Sequence, residues 1–95
     1  MADTITIHIP TALRPQTGNQ ESVSVQGGSI REALGALTSQ YPDLGKRLFK
    51  NPDGSEINRF INVYVNDEDI RFLENQDTKL KTGDEVSIVP AIAGG

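Results

Sequence analysis

Few residues of this 95-residue chain could do chemistry, and most of those lack the neighbours that chemistry needs. His8 is the only histidine, so a histidine-based triad or metal cluster would have one imidazole to draw on. In the alternating stretch Thr4-Ile5-Thr6-Ile7-His8-Ile9 it faces away from the isoleucines and reads as a solvated surface residue. Asn66-Asp67-Glu68-Asp69 lacks the Asp-x-Asp-x-Asp-Gly spacing and closing Glu of a calcium loop, and reads as a polar turn between strands. Gly45-Lys46 fails as a phosphate-binding loop: Gln40 stands where the upstream glycine belongs, and Arg47 where a Ser or Thr would hold magnesium. With no Cys there is no disulfide, no thiolate metal site, no iron–sulfur cluster and no cysteine nucleophile. No cofactor is expected on the chain itself, no metal, and no catalytic residue.

What remains is the last six residues, Pro90-Ala91-Ile92-Ala93-Gly94-Gly95. Paired glycines add no packing and lose the most backbone entropy when ordered, so a fold has no use for them there. They suit a different task. Ala91, Ala93, Gly94 and Gly95 make a thin extended rod that can enter a narrow channel in another protein while its backbone amides pair with the walls. The reacting group would be the α-carboxylate of Gly95, ionised at neutral pH with a pKa of about 3.5 and inert until activated. Attack on the α-phosphate of ATP would turn it into an acyl-adenylate, a transfer that positioning and a magnesium clamp can catalyse. Its carbonyl could then accept sulfur or an amine. A frayed terminus with incidental glycines is the alternative reading.

Such a tail needs a rigid root. Ninety-five residues make one small domain with a single core. Thr4 to Ile9 reads as a strand closed by Pro10, and Glu21-Ser22-Val23-Ser24-Val25 as its hairpin partner across the turn-rich stretch Thr11 to Gln20. After Gly27-Gly28, the Ser29 to Glu32 spacing of a capping box precedes a helical stripe of Ile30, Ala33, Leu34, Leu37 and Tyr41. Pro42 ends that helix, Leu44, Leu48 and Phe49 predict a second short helical segment, and Asn51-Pro52-Asp53-Gly54 a turn. Strands are expected at Arg59 to Val65, Ile70 to Phe72 and Glu85 to Val89. One amphipathic helix covers one face of a mixed sheet, which gives an α+β roll of the β-grasp kind, with four to five strands on one main helix. The first and last strands then lie parallel at the centre. The division expected is a domain over residues 1–89 and a flexible tail over 90–95.

Nine basic against thirteen acidic residues give a net charge of -4, and only Lys46-Arg47 are adjacent, which argues against nucleic-acid or anionic-membrane partners. The opening MADTITIHIP has neither a basic stretch nor a long apolar run, so no signal peptide or membrane span is expected. The expectation is a soluble, cytoplasmic monomer.

The run Leu80-Lys81-Thr82-Gly83-Asp84-Glu85-Val86-Ser87-Ile88-Val89-Pro90-Ala91-Ile92-Ala93-Gly94-Gly95 resembles the closing motif of the ubiquitin-like sulfur carriers, the ThiS/MoaD family. Ile9-Pro10-Thr11, Leu13-Arg14-Pro15 and the stretch from Arg59 through Val65-Asn66-Asp67-Glu68-Asp69 to Phe72 are similar to the branch that delivers sulfide for cysteine biosynthesis. The resemblance implies a β-grasp (ubiquitin-like) fold and adenylation by an E1-like enzyme that uses ATP and magnesium. It further implies conversion of the Gly95 carboxylate to a thiocarboxylate. It implies a pyridoxal-phosphate (PLP) cysteine synthase as recipient and a zinc metalloprotease that later frees the cysteine. Gly95 would bear the sulfur, Gly94 would neighbour it, and Pro90, Ala91, Ile92 and Ala93 would dock the tail. The chain is longer than the smallest carriers around Thr11 to Gln20 and Tyr41 to Glu56. Three other readings compete: a modifier joined to lysines, the small subunit of a molybdopterin-synthase-type enzyme, and an interaction module with an incidental tail.

Alternation also predicts where a partner would touch the body. With Ile61, Val63 and Val65 inward, Phe60, Asn62 and Tyr64 point outward; with Val86 and Ile88 inward, Val89 points outward. Phe60, Tyr64 and Val89 would then form an exposed apolar patch beside the tail's root, unless the loop from Tyr41 to Glu56 covers the two aromatics.

Overall fold

The computed structural model describes residues 4–50, 57, 58 and 60–90. Strands β1 (Thr4–His8) and β2 (Ser22–Gln26) pair antiparallel, with Ile5 opposite Val25 and Ile7 opposite Val23. Both follow from strict alternation: the buried set Ile5, Ile7, Val23 and Val25 lies on one face and Thr4, His8, Ser22, Ser24 and Gln26 are exposed. The Thr11 to Gln20 connection is more ordered than a run of turns. Thr11–Thr17 forms a 3-10 helix opened by Pro10 and closed by Gly18 at φ 64°, and it buries Leu13 and Thr17.

Helix α1 (Ile30–Gln40) starts where the capping signal predicts, because the Ser29 hydroxyl accepts from the Glu32 N–H at 3.3 Å. The reciprocal bond is displaced by one residue: Glu32 Oε1 accepts from Gly28 N at 2.8 Å rather than from Ser29. Ile30, Ala33, Leu34 and Leu37 are all buried against the sheet, each leucine worth about 1.5–3 kcal/mol for its removal from water. Pro42 both ends α1 and opens α2 (Pro42–Leu48), where its missing N–H costs nothing, and Leu44 and Leu48 complete the core.

Strand β3 (Ile61–Val65) turns at Asn66 and Asp67, whose φ values of 50° and 72° are the left-handed pair of a two-residue hairpin. The returning strand β4 is Glu68–Asp69, in register Val65 opposite Glu68 and Tyr64 opposite Asp69. This corrects the expected strand at Ile70 to Phe72, which is a 3-10 helix. The cause is local. Asp69 Oδ1 accepts from the Arg71 backbone N–H at 2.8 Å and its carboxylate also holds the Arg71 guanidinium, so the N–H that a ladder needs is already engaged.

Strand β5 (Glu85–Pro90) runs parallel to β1 and antiparallel to β3, giving the order β2-β1-β5-β3-β4. The last strand therefore occupies the middle of the sheet, as inferred, and both helices lie on the face that carries Ile7, Val63, Val86 and Ile88.

Candidate functional site: the root of the tail

The geometry of the site is that of β5. Its start is fixed by a polar clamp: Asn66 donates from Nδ2 to Asp84 Oδ1 at 3.1 Å and accepts at Oδ1 from Glu85 N at 3.1 Å, while Asp84 Oδ2 accepts from Lys81 N at 2.9 Å. Gly83, at φ 97°, makes the turn that brings Asp84 round. From there β5 is paired on both sides, Val86 with Ile7 and with Val65, and Val86 and Ile88 are buried. Pro90, expected as the first residue of the tail, is the last residue of the strand and pairs with Ile61. A proline there removes no needed donor if its nitrogen sits at the ladder's end. Ala91, Ile92, Ala93, Gly94 and Gly95, the rest of the expected tail, lie outside the described residues, as does the Asn51 to Gly54 turn.

The outer face of the sheet around this root is partly apolar. Register places Tyr64 opposite Ser87 and Asn62 opposite Val89, so Tyr64 and Val89 are diagonal neighbours on one face. Val89 is 42% exposed and Phe60 49%, whereas Tyr64 is half-buried. Phe60 precedes β3, with its N–H donated to Asn58 Oδ1 at 3.0 Å, so a turn positions it rather than strand alternation. Ile61, expected inward, is half-buried and packs on the core.

His8 stands on the same outer face, its Nε2 2.6 Å from Glu85 Oε1, joining the first and last strands. The spacing of the two residues in sequence gives no sign of this contact, which the parallel register of β1 on β5 creates. Asp69 is buried and its carboxyl is held below the ordinary range, first by the side-chain bonds from Arg71, then by the Arg71 backbone N–H, with burial opposing. The Arg71 guanidinium is correspondingly pushed up by Asp69. No cluster of metal-ligating residues occurs among the described residues, and no helix among them is long and apolar enough to cross a membrane.

The ThiS family model matches residues 7–95. The chain belongs to the ThiS family. It is 43% identical over 91 residues to the sulfur carrier protein CysO of Mycobacterium tuberculosis, covering 96% of this chain and 98% of that one. Among solved structures it is similar to CysO in the crystal structure of the Amycolatopsis orientalis BexX/CysO complex. The TM-score is 0.87 at 42% identity, over 96% of this chain and 99% of that one. It is also similar to the small archaeal modifier protein 1 of Methanosarcina acetivorans, with a TM-score of 0.88 at 28% identity, over 100% of this chain and 99% of that one. The β-grasp, ubiquitin-like architecture and the family likeness that the closing motif implied are thereby established for this ThiS-family chain, and the sulfur carrier it resembles is one named CysO.

Proposed function

We propose that this ThiS-family chain is a sulfur carrier rather than a catalyst, and that Gly95 is where the sulfur travels. The observation that carries this reading is the ThiS family match over residues 7–95, together with 43% identity over 91 residues to a relative named as a sulfur carrier. In the proposed cycle an E1-like enzyme binds ATP and magnesium, the Gly95 carboxylate oxygen attacks the α-phosphorus, and pyrophosphate leaves. A sulfide or persulfide donor then attacks the acyl carbon and displaces AMP, leaving a thiocarboxylate; a persulfide must also have its S–S bond reduced.

A PLP-dependent cysteine synthase is the proposed recipient, and a zinc metalloprotease the enzyme that clears the resulting cysteine from the tail. The carrier works inside the cell, where ATP is available. Pro90 anchors the departing segment, Ala91 to Gly94 thread the channel, and Tyr64, Val89 and Phe60 dock the body. That the activation is directed at a terminal carboxylate is supported by the placement of β5: a strand paired on both sides presents its end as a rigid mount.

The test is intact-protein mass spectrometry after incubation with the activating enzyme, ATP and a sulfur donor. Replacement of one oxygen by sulfur at Gly95 is expected, and none in a chain lacking Gly94 and Gly95. A second reading, conjugation to lysines, is favoured by the likeness to an archaeal modifier protein. It predicts covalent adducts of higher mass in cells in place of a thiocarboxylate pool.

A further inference from the structure

Phe72 is the most exposed large apolar residue described, at 83%, and Leu73 beside it is 37% exposed. The segment carrying them is fixed on both sides. Ile70 is buried in the core, and Asp69 holds both the backbone and the guanidinium of Arg71. Leu73 N donates to Ile70 O at 3.0 Å, and Glu74 N to Thr78 Oγ1 at 3.0 Å. A phenylalanine held out on an ordered backbone has already lost much of the entropy that docking would otherwise cost, which is the condition for a binding anchor.

The charge around it is one-sided. Residues 67–77 hold Asp67, Glu68, Asp69, Glu74 and Asp77 against Arg71, so this stretch alone carries the chain's whole net charge of -4, the rest being balanced. Arg71 is bound by Asp69, and Asp77 lies 3.2 Å from Arg31 on α1. Asp67, Glu68 and Glu74 are exposed and have no ion pair among the described residues, so they set the local field.

We propose that Phe72 and Leu73, flanked along the chain by these carboxylates, are a second docking point for the activating enzyme, whose matching face carries an apolar pocket rimmed by Lys or Arg side chains. This rests on the reading that the chain is adenylated. A tail of Ala, Ile and Gly carries little information by which one enzyme could select this chain, so selectivity falls to the body. A groove of about 320 Å³ lined by Ile61, the partner of Pro90, and by Ile70 and Arg71, which precede Phe72 in the chain, lies between the end of β5 and this segment. A single partner holding the tail's root can reach Phe72 across it.

The test is ATP–pyrophosphate exchange by the activating enzyme of the same organism, with the full chain as the varied substrate. Phe72→Ala is expected to raise KM about thirtyfold with kcat unchanged, and Phe72→Leu to recover most of the loss. The double variant Glu68→Lys, Glu74→Lys is expected to raise KM at low salt and flatten its dependence on ionic strength. Phe72 is exposed, so the melting temperature of its variants should match the parent. A KM within twofold of the parent for both Phe72→Ala and the charge variant overturns the second docking point while leaving adenylation standing. Absence of exchange with the parent chain overturns adenylation and the docking assignment together.

Discussion

Pro90 and Ile61 are Cα partners across β5 and β3, so the pairing of the sheet reaches the last residue of the strand. Among the described residues, β5 is held by Thr6, Ile7 and His8 on one side and by Ile61 to Val65 on the other. Deleting Gly94 and Gly95 is therefore expected to shift the melting temperature by less than about 4 °C, since surface changes away from packed features fall within about 0.5 kcal/mol. The same deletion should abolish ATP-dependent activation, as should a tag fused to the C-terminus, whereas an N-terminal tag should not. Calorimetry and pyrophosphate exchange on the same samples check the two halves separately.

The paired glycines before α1 have unequal jobs. A Cβ on Gly27 would lie 2.8 Å from Ala33 N and 3.1 Å from Ala33 Cα, backbone atoms of the helix that cannot swing aside. A Cβ on Gly28 would meet only the Glu32 carboxylate oxygen, at an ordinary 3.6 Å. Gly27→Ala is expected to destabilise by about 1–3 kcal/mol by pushing α1 off the sheet, and Gly28→Ala by no more than about 0.5 kcal/mol. Denaturant unfolding of the two variants side by side measures the difference; equal losses would mean that the helix can move away from β2 freely.

What the sequence made legible divides along physical lines. Period-two and period-3.6 patterns locate β1, β2, α1, β3 and the body of β5, because burial of one face imposes them. The central parallel pairing of β1 with β5 follows from layer packing and is found in the register. Other elements are not legible in that way. Ile70-Arg71-Phe72 has strand composition, yet a side-chain bond from the preceding aspartate captures its backbone N–H, and propensity carries no term for that. The 3-10 helix at Thr11–Thr17 hides behind Pro10, Pro15 and Gly18, residues that also mark plain turns. At the site, the pair Tyr64 and Val89 was readable from alternation, but the half-burial of Tyr64 was not. The exposure of Phe72 is not legible, because its segment has the composition of a strand. The Asp69-x-Arg71 spacing was the available signal, since an acidic residue two before a basic one can close a local clamp.

That clamp has a pH signature. Asp69 titrates below its unfolded value of about 3.9, so it favours the folded state at neutral pH. Its contribution is present above that unfolded value and is lost as pH falls through the lower folded one. Asp69→Asn should lower the melting temperature at pH 7 by a few degrees, with the gap to the parent closing as pH drops below about 4. A gap that persists unchanged at pH 2 would mean that the variant loses packing rather than an ionised partner for Arg71.

The polarity of the Gly95 carbonyl separates the carrier from the modifier. A thiocarboxylate is ionised at neutral pH and presents a soft sulfur nucleophile, suited to attack on the electrophilic aminoacrylate that a PLP enzyme forms from an activated serine. Conjugation to lysine instead uses the carbonyl carbon of Gly95, once activated, as an electrophile. A chain carrying a chemically prepared thiocarboxylate at Gly95, mixed with such a synthase and its activated serine, should form a cysteine adduct on its own end, while the ordinary carboxylate should give none. Gly94→Ala should slow adduct formation by about tenfold or more, because an added Cβ crowds a narrow channel and bars the positive-φ conformations open to glycine. Mass spectrometry of the chain reads both outcomes. An inert thiocarboxylate together with lysine-linked adducts in cells would reverse the order of the two readings.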